Sequence, residues 1–490
     1  MIRQEATNTI ASSLLEEVAR RAEDYTAFSD RIWTMPETCY AETRSAAEHL
    51  AMLEREGFSV TRKMADIPTA LMGEAGSGGP VIAFLGEYDA LAGLSQKAGA
   101  LSHEPLMEGG NGHGCGHNLL GAGALLAASA LKAWLVREKL PGRVRYYGCP
   151  AEEGGAAKAF MVRAGAFDDV DIAITWHPND HMEVVRKYSL ANCRVDFTFH
   201  GTPSHAGVAP HLGRSALDAV ELMSVGCNYL REHVPANTRL HYAYLDTGGI
   251  SPNVVQSRAK VRYSIRSEDA AGAAALLARV EKIARGAAMM TETDVEIRVI
   301  SAVSNKLPNP PLEAAMQDVM EQLGPPDFDA EDHAFAQAIR ETFSPDDIAA
   351  SWRSVAEPMR DAVLSDFVVP AHLRRDPTGG STDVADVSWI VPTVEAHVAT
   401  ATIGTKLHSW QMVSQGQSPM AHKGMIRAAE IMAGTAYRAI VDPDLIARAK
   451  AALKEAVGPD GYRSLLPAEA APPIADMAIG TGRVEKERRP

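Results

Sequence analysis

Residues 110–136 read GNGHGCGHNLLGAGALLAASALKAWLV, a glycine-rich loop that runs directly into a long apolar segment. The loop places His113, Cys115 and His117 between glycines, and glycine permits tight turns that bring neighbouring side chains to one point. Thiolate and imidazole are ligands that zinc and related metals prefer. The apolar segment is long enough to span a membrane, but Lys132 and its many small residues favour a helix buried in a large core. We therefore predict a metal-binding loop at the start of a core helix, and no membrane association.

Short apolar runs alternate with helical patterns on both sides of this segment. Residues 81–85 form a continuous apolar run, which is typical of a strand buried on both faces, and residues 144–149 and 172–176 are similar. Strands that alternate with helices predict an α/β fold, here a mixed, largely parallel sheet with helices on both faces. A loop between a strand and a helix lies at the sheet edge where such folds bind ligands, which places residues 110–118 at that edge.

A different pattern begins near residue 190. Residues 193–200, CRVDFTFH, alternate between apolar and polar side chains, as in a half-solvated antiparallel strand. Helix 216–232, strands 239–246 and 258–266, helix 270–289 and strand 294–301 follow, which is the β-α-β-β-α-β order of a ferredoxin-like α+β unit. We therefore expect a catalytic domain made of residues 1–190 and 307–460, an inserted domain of residues 191–306, and a loose C-terminal tail at 461–490.

Two adjacent glutamates, Glu152 and Glu153, follow a predicted strand in the motif PAEEGG. One carboxylate of such a pair can bind a metal while the other accepts a proton from metal-bound water. Taken alone, a Glu-Glu pair is more often part of a solvated loop, but other candidate ligands lie on either side of this one along the chain. The set for two metals comprises Cys115, His117, Glu153, His177 and His408.

Composition excludes some classes of partner. Lys and Arg total 48 and Asp and Glu total 62, so the formal net charge is −14, and an acidic chain repels nucleic-acid phosphates. The 5 cysteines are sparse and odd in number, which predicts no disulfide framework and a reducing compartment. The N-terminal segment lacks the apolar core of a signal peptide. We expect a cytoplasmic protein that acts on a small molecule.

The motifs resemble those of a known family. GHGCGHN, PAEEGG, WHP, SHAG, GGSTDVADVSW and HSWQ, spread over residues 33–439, are similar to motifs of the di-metal aminoacylase and glutamate-carboxypeptidase family of metallopeptidases. The closer resemblance is to its amidohydrolase branch, which includes auxin-amide and hippurate hydrolases. Glu87 stands where the peptidase branch has a histidine, which also favours the amidohydrolase branch. The resemblance implies a zinc-peptidase-like catalytic domain, two zinc or manganese ions, and cleavage of the amide bond of N-acyl or aroyl amino acids such as p-aminobenzoyl-glutamate.

The resemblance also implies roles for individual residues of the catalytic domain. Glu152 matches the general base, and Asp89 matches a carboxylate behind the metals, where it could orient an imidazole. The matching metal ligands are Cys115, His117, Glu153, His177 and His408.

In the same family the inserted domain is a lid and dimerisation domain. His205, in the motif SHAG, matches a histidine that reaches a reaction centre, often that of the partner subunit. Asn253 and Arg266 match positions that bind the substrate carboxylate, although the charged face of strand 258–266 is equally consistent with an ordinary solvated sheet face. The resemblance implies a homodimer formed through the lid, or pairing with a related A subunit.

Two other functions stay open at this point. Cys115 could be a nucleophile activated by His117 or His113, in which case alkylation would abolish activity and chelators would not. That mechanism leaves Glu153, His177 and His408 without a role. The chain could also be a non-catalytic binding or regulatory subunit of the same fold, which a screen for metal-dependent activity would distinguish.

Overall fold

A computed structural model of the chain describes residues 9–186, 189–371 and 380–477. These residues form a seven-stranded sheet and a four-stranded sheet, with helices packed against both. The strands are β1 (Ser59–Arg62), β2 (Leu71–Ser77), β3 (Val81–Glu87), β4 (Gly142–Cys149), β5 (Ile172–Asn179), β6 (Glu183–Val184), β7 (Ala191–His200), β8 (Arg239–Asp246), β9 (Arg258–Ser267), β10 (Asp294–Val303) and β11 (Thr393–Ala399).

Helices alternate with these strands over most of the chain, and short 3₁₀ turns lie at Met64–Asp66, Pro210–Leu212 and Arg231–His233. The α-helices are α1 (Ser12–Trp33), α2 (Thr43–Arg55), α3 (His117–Glu138), α4 (Ala157–Arg163), α5 (Ala216–Leu230), α6 (Ala270–Thr291), α7 (Pro310–Leu323), α8 (Ala330–Arg340), α9 (Pro345–Ser354), α10 (Val384–Ser388), α11 (Trp410–Gln415), α12 (Pro419–Val441), α13 (Pro443–Val457) and α14 (Ile474–Met477).

The larger sheet has the strand order β1-β2-β4-β3-β5-β11-β6. Its four central strands run parallel, and antiparallel strands flank them at both edges, which confirms the predicted mixed sheet with a largely parallel centre. Every residue of β3 is buried. Ile82 and Phe84 face a core shared with α1, α3 and α12, whereas Ala83 and Leu85 face a core shared with α4 and α10. Helices therefore cover both faces, and the predicted α/β class is confirmed.

Helix α3 is the apolar segment that follows the glycine-rich loop. It is long and apolar enough to cross a membrane, but 83% of its apolar 18-residue stretch is buried inside the protein, as expected of a core helix. A Cβ atom at Gly123 would lie 2.9 Å from the ring of Trp176 on β5, so the helix packs closely onto the sheet. This close packing fixes the position of His117, the first residue of α3, relative to the ends of the strands.

The smaller sheet has the order β10-β7-β9-β8, and all of its pairings are antiparallel. Helices α5 and α6 cover its apolar face, so its elements follow the predicted β-α-β-β-α-β order. Residues 191–303, which we call the lid, lie between β6 and α7 along the chain. The polar face of the lid sheet carries Arg194, Lys260, Arg262 and Arg266 on β7 and β9.

We expected a loose tail from residue 461 onward, but its described part, residues 461–477, packs against the rest of the protein. Leu466 is buried in the core that the lid shares with the larger sheet, and Nη1 of Arg163 donates a hydrogen bond to the carbonyl of Pro467 at 2.9 Å. Asp476 pairs with Arg298 of the lid at 2.9 Å. Apolar side chains within this proline-rich segment provide the packing, and residues 478–490 lie outside the described part of the chain.

Candidate metal centre and active site

The loop that precedes α3 turns at two closely packed glycines. Gly116 has a φ of +73°, in the left-handed region that favours glycine, and a Cβ atom there would lie 2.8 Å from Pro178, just after His177. The carbonyl of Gly114 accepts a hydrogen bond from the backbone N–H of His408 at 2.7 Å. The loop that carries Cys115 and His117 is therefore joined to the two segments that carry the other predicted imidazole ligands.

The five predicted ligands lie together. Sγ of Cys115 is 3.4 Å from Nε2 of His177, and Nε2 of His408 is 3.2 Å from Oε2 of Glu153. Among the described residues, three groups have ligand atoms that all lie within 4.8 Å of one another: Cys115 with His117 and His177, Cys115 with Glu153 and His408, and Glu87 with His117 and Glu152. The first two groups contain all five predicted ligands and share the Cys115 thiol.

Hydrogen bonds orient the two buried imidazoles toward this cluster. Nδ1 of His117 donates to Oδ1 of Asp89 at 2.9 Å, and Nδ1 of His177 donates to the carbonyl of Pro178 at 2.8 Å. With Nδ1 protonated, each ring presents the lone pair of Nε2 to the centre of the cluster, which is how ligating histidines are commonly held. Asp89 therefore lies behind the imidazole of His117, and its expected role in supporting bound metals stays a prediction.

The donor atoms fit divalent metals. Within the described ranges, Nε2 of His117 and Oε1 of Glu153 are buried without a hydrogen-bond partner, and Oε2 of Glu87, 3.3 Å from Nε2 of His117, pairs with it only if the ring is protonated on both nitrogens. Burying a polar atom unpaired is costly, and native proteins rarely do so without a partner such as an ion or a water. A thiol, imidazoles and a carboxylate at these positions form a donor set that zinc accepts readily.

Further charged side chains surround Glu152. The ammonium group of Lys158 is fully buried, 2.5 Å from Oε1 of Glu87 and 2.5 Å from Oδ1 of Asp383. Burial, together with the charges of Glu87 and Glu153, raises the pKa of Glu152 well above its usual range. Cations bound beside Glu152 would oppose this effect and favour its ionised, proton-accepting form.

Left-handed backbone occurs at two non-glycine positions of the cluster. His408 has a φ of 61°, and Ala151, directly before Glu152, has a φ of 56°. Such conformations cost roughly 1–3 kcal/mol and persist only where the surroundings enforce them. At Ala151, the backbone N–H donates a hydrogen bond to Oε1 of Glu42 at 2.9 Å, which helps to hold the residue in this conformation.

The cluster opens into a cavity of about 670 Å³ between the larger sheet and the lid. The catalytic side of its wall includes Cys115, Glu152, Glu153, His177 and His408. The lid side includes Asn192, Arg194, Arg266 and Ser301. A small molecule in this cavity would have both metal ligands and guanidinium groups within the same lining.

Residues 83–479 match the sequence model described as Peptidase family M20/M25/M40. The chain belongs to this family. It is also 45% identical, over 460 residues, to the B subunit of the p-aminobenzoyl-glutamate hydrolase of Escherichia coli (strain K12), a match that covers 91% of this chain and 95% of the relative. The match confirms that the motifs resemble this family and that the chain resembles the B subunit of that hydrolase.

A second relative is an Xaa-Arg dipeptidase of Mus musculus, 28% identical over 444 residues, covering 88% of this chain and 89% of the relative. Both relatives are hydrolases by name, and the family is one of peptidases, so this chain is a hydrolytic enzyme.

Solved structures confirm the fold. A putative aminohydrolase from methicillin resistant Staphylococcus aureus superposes with a TM-score of 0.60 at 16% identity, covering 88% of this chain and 100% of that one. An aminobenzoyl-glutamate utilization protein from Klebsiella pneumoniae superposes with a TM-score of 0.57 at 18% identity, covering 87% and 98%.

Two predicted site residues of this M20/M25/M40 member lie apart from the cavity. His205 is exposed, and its Nδ1 accepts hydrogen bonds from the backbone N–H groups of Gly207 and Val208, each at 3.2 Å. Asn253 is also exposed, and its carbonyl accepts a hydrogen bond from Ala206 at 2.9 Å. The two residues are neighbours in the lid, but neither lines the cavity that contains Glu152, whereas Arg266 does. Their expected role in the site of a partner subunit stays a prediction.

Three charged residues of the site were not predicted from the sequence. Lys158 lies just after PAEEGG, and Asp383 lies inside GGSTDVADVSW, whose first residue, Gly379, is outside the described residues. Proximity to a motif was a usable signal for both. Arg194 carried no such signal, because it occupies an ordinary polar position in an alternating strand.

Proposed function

We propose that the chain is a metal-dependent amidohydrolase that cleaves N-acyl and aroyl amino acids such as p-aminobenzoyl-glutamate. The observation that carries this proposal is the pair of ligand groups that share Cys115 beside Glu152, since two adjacent metals next to a carboxylate suit amide hydrolysis. The 45% identity to a hydrolase named for p-aminobenzoyl-glutamate supports the substrate class.

The roles follow from the placement of the side chains. When two divalent cations are held by Cys115 and the four other ligands, the site gains Lewis-acid activation of a water and of the amide carbonyl. Glu152 accepts the proton of the attacking water and passes it to the leaving amine. Arg266, on the lid side of the cavity, binds the α-carboxylate of the substrate through paired N–H···O bonds. His205, supplied by a partner subunit, stabilises the developing oxyanion.

Zinc is the expected metal, with manganese as the alternative. A cysteine thiolate among the ligands would favour softer metals, and manganese prefers oxygen ligands. Metal content of the purified protein, measured after loading with each ion separately, tests this order.

The environment of Cys115 weighs against a cysteine nucleophile. Burial raises the pKa of the Cys115 thiol well above its usual range, whereas reactive cysteines have a lowered pKa. No hydrogen bond joins His113 to the thiol in the described part of the chain, because its Nε2 lies 3.1 Å from the carbonyl of Ile32 and its Nδ1 has no hydrogen-bond partner. The presence of Glu152 beside a complete ligand set also weighs against a non-catalytic subunit.

We infer further that the chain pairs through the lid. Leu222, Val225 and Tyr229 on α5 and Tyr242 and Tyr244 on the edge strand β8 are exposed apolar side chains. Edge strands and apolar patches of this kind commonly mark protein interfaces. A second copy of this chain is the expected partner, and a related A subunit is the alternative. Light scattering after size-exclusion chromatography, with and without an A-type subunit, distinguishes the two.

The decisive experiment is a substrate screen. Purified protein loaded with zinc or manganese is incubated with p-aminobenzoyl-glutamate and a panel of N-acyl amino acids, with and without a chelator, and released amino acid is followed by mass spectrometry. Release that the chelator abolishes is expected. Release that resists the chelator but stops on alkylation would support the cysteine nucleophile instead. No release despite bound metal would contradict the proposal for the isolated chain, and an added A-type subunit would then be tested.

A further inference from the structure

Arg194 is a cation of the cavity wall that forms no ion pair with a carboxylate of the described residues. Among the described residues, the one hydrogen-bond contact of its side chain runs from Nη2 to the carbonyl of Glu153, at a long 3.5 Å. Within the same part of the chain, no carboxylate oxygen lies within 4.0 Å of its guanidinium. Two neighbouring cations differ in this respect, because Lys306 in the same wall pairs with Glu395, and Arg262 pairs with Asp196.

The position of Arg194 is costly without an anion. The side chain is half-buried, and burial lowers its pKa, although an arginine stays protonated. A charge taken from water needs a partner to offset the lost hydration. A Cβ atom at Gly154 would lie 2.0 Å from Nη1 of Arg194, so the absence of a side chain at Gly154 leaves room for the guanidinium.

Arg194 and Arg266 are diagonal neighbours on one face of the lid sheet. In the β7–β9 pairing, Asn192 lies opposite Arg266, and Arg194 lies opposite Ser264, two residues away. Diagonal positions of an antiparallel pair are roughly 7–8 Å apart, within reach of long side chains. Both arginines line the cavity, so two guanidinium groups face the same bound molecule.

We propose that Arg194 binds the side-chain carboxylate of an acidic amino acid while Arg266 binds its α-carboxylate. This inference rests on the proposed function and deepens it: the chain selects N-acyl derivatives of glutamate or aspartate over those of neutral amino acids. An arginine can bind a carboxylate through two parallel hydrogen bonds, and a cavity with two such groups suits a dicarboxylate. Arg194 is thus a specificity-determining residue that touches the side chain of the substrate.

The test compares substrates that differ only at the side-chain carboxylate. For the zinc-loaded protein, kcat/KM is measured on N-benzoyl-glutamate, N-benzoyl-glutamine and N-benzoyl-alanine. Arg194→Gln is expected to lower kcat/KM for the glutamate derivative by about 30-fold or more, the scale for losing one partner of a desolvated charge pair, and to change the neutral substrates by only about threefold. Arg194→Lys, which retains a positive charge, is expected to keep part of the preference.

Arg262→Gln is the matched control, because Arg262 lies on the same face of the lid sheet but does not line the cavity. It is expected to retain the substrate preference of the wild-type protein. The proposal is overturned if Arg194→Gln loses kcat/KM equally on all three substrates, because Arg194 would then have a structural role at the Glu153 loop. If the glutamine variant does not fold, the same outcome is read from Arg194→Lys.

The two proposals fail in different ways. If the wild-type protein releases no amino acid from any of the three compounds, the proposed function itself fails. If it hydrolyses the alanine and glutamine derivatives as fast as the glutamate derivative, amide hydrolysis stands and the assignment of Arg194 is wrong.

Discussion

Asp89 holds two predicted metal ligands at once: Oδ1 accepts the Nδ1–H of His117 at 2.9 Å, and Oδ2 accepts the backbone N–H of Glu153 at 2.9 Å. One carboxylate thus sets the orientation of an imidazole and the position of a glutamate loop that follows a different strand. Glu153 belongs to one ligand group around Cys115 and His117 to the other. Asp89 therefore couples the two halves of the proposed metal centre without being a ligand.

Replacing Asp89 by Asn should weaken metal binding. An amide can accept only one of the two hydrogen bonds, so either His117 or the Glu153 loop loses its support. Loss of such a partner typically lowers metal affinity 10–100-fold, roughly the change we expect. Competition with a chromophoric chelator measures it, with the exposed Asp168→Asn as control. Unchanged affinity in Asp89→Asn would show that Asp89 does not support the centre.

Glu152 and Glu153 are adjacent, but substitutions of the two residues should have different effects on metal content and turnover. Glu152→Gln removes a proton acceptor and should lower kcat by about 10²–10⁴-fold while two metals remain bound. Glu153→Gln removes a ligand and should lower metal content as well as activity. Metal analysis and steady-state kinetics on both variants measure the two effects. Turnover of Glu152→Gln within a few-fold of the wild-type value would exclude Glu152 as the base.

The sequence predicted those parts of the molecule whose local pattern also determines their surroundings. Strand β3 is apolar because both its faces are covered, and the lid strands alternate because one face is covered by α5 and α6. Strand β2, LMGEAGS, was not predicted, because its two glycines and exposed end give no periodic signal. Its pairing with β4 provides the structure that its own residues do not indicate.

The same limit applies to the site. The clustering of the five candidate ligands was predictable, because each follows a strand or precedes a helix within a motif. They are Cys115, His117, Glu153, His177 and His408. The distance between Glu153 and His408 was not predictable, because it depends on packing between distant segments of the chain. His205 and Asn253 lie on exposed lid loops outside the cavity, and their expected role in the site of a partner subunit stays a prediction, because a single sequence does not encode how two subunits pack.

Lys158 should be important for folding as well as for the site. Its ammonium group is buried between Glu87 and Asp383, so Lys158→Met leaves two buried carboxylates without their cation. Removing one partner of a buried ion pair typically costs about 3–5 kcal/mol, and we expect a loss of that size in the free energy of unfolding. Urea denaturation measures it. In Lys158→Met/Asp383→Asn, one uncompensated charge is removed and part of the stability should return; no recovery would argue against direct pairing.

His49 should make the protein lose stability below neutral pH. It lies in α2, where its Nδ1–H donates to the carbonyl of Ser45 at 2.8 Å, and its ring packs against Phe28 and Tyr88 with centroids 4.7 and 4.5 Å away. Burial lowers the pKa of His49 from 6.5 to about 4. The folded state therefore excludes a proton that the unfolded state binds, so this contribution to stability is present above pH 6.5 and is lost as the pH falls toward 4.

The expected size follows from the same shift. Between about pH 7.5 and about pH 5.5, the contribution of His49 should reduce the free energy of unfolding by about 1 kcal/mol. His49→Leu fills similar space and cannot bind the proton, so its stability should fall less over this range, by that same amount, even if the variant is less stable at both pH values. Urea denaturation at both pH values measures the difference, with His103→Asn on an exposed loop as the control. Equal pH dependence in His49→Leu and the wild-type protein would mean that His49 is already free to take up a proton in the folded state.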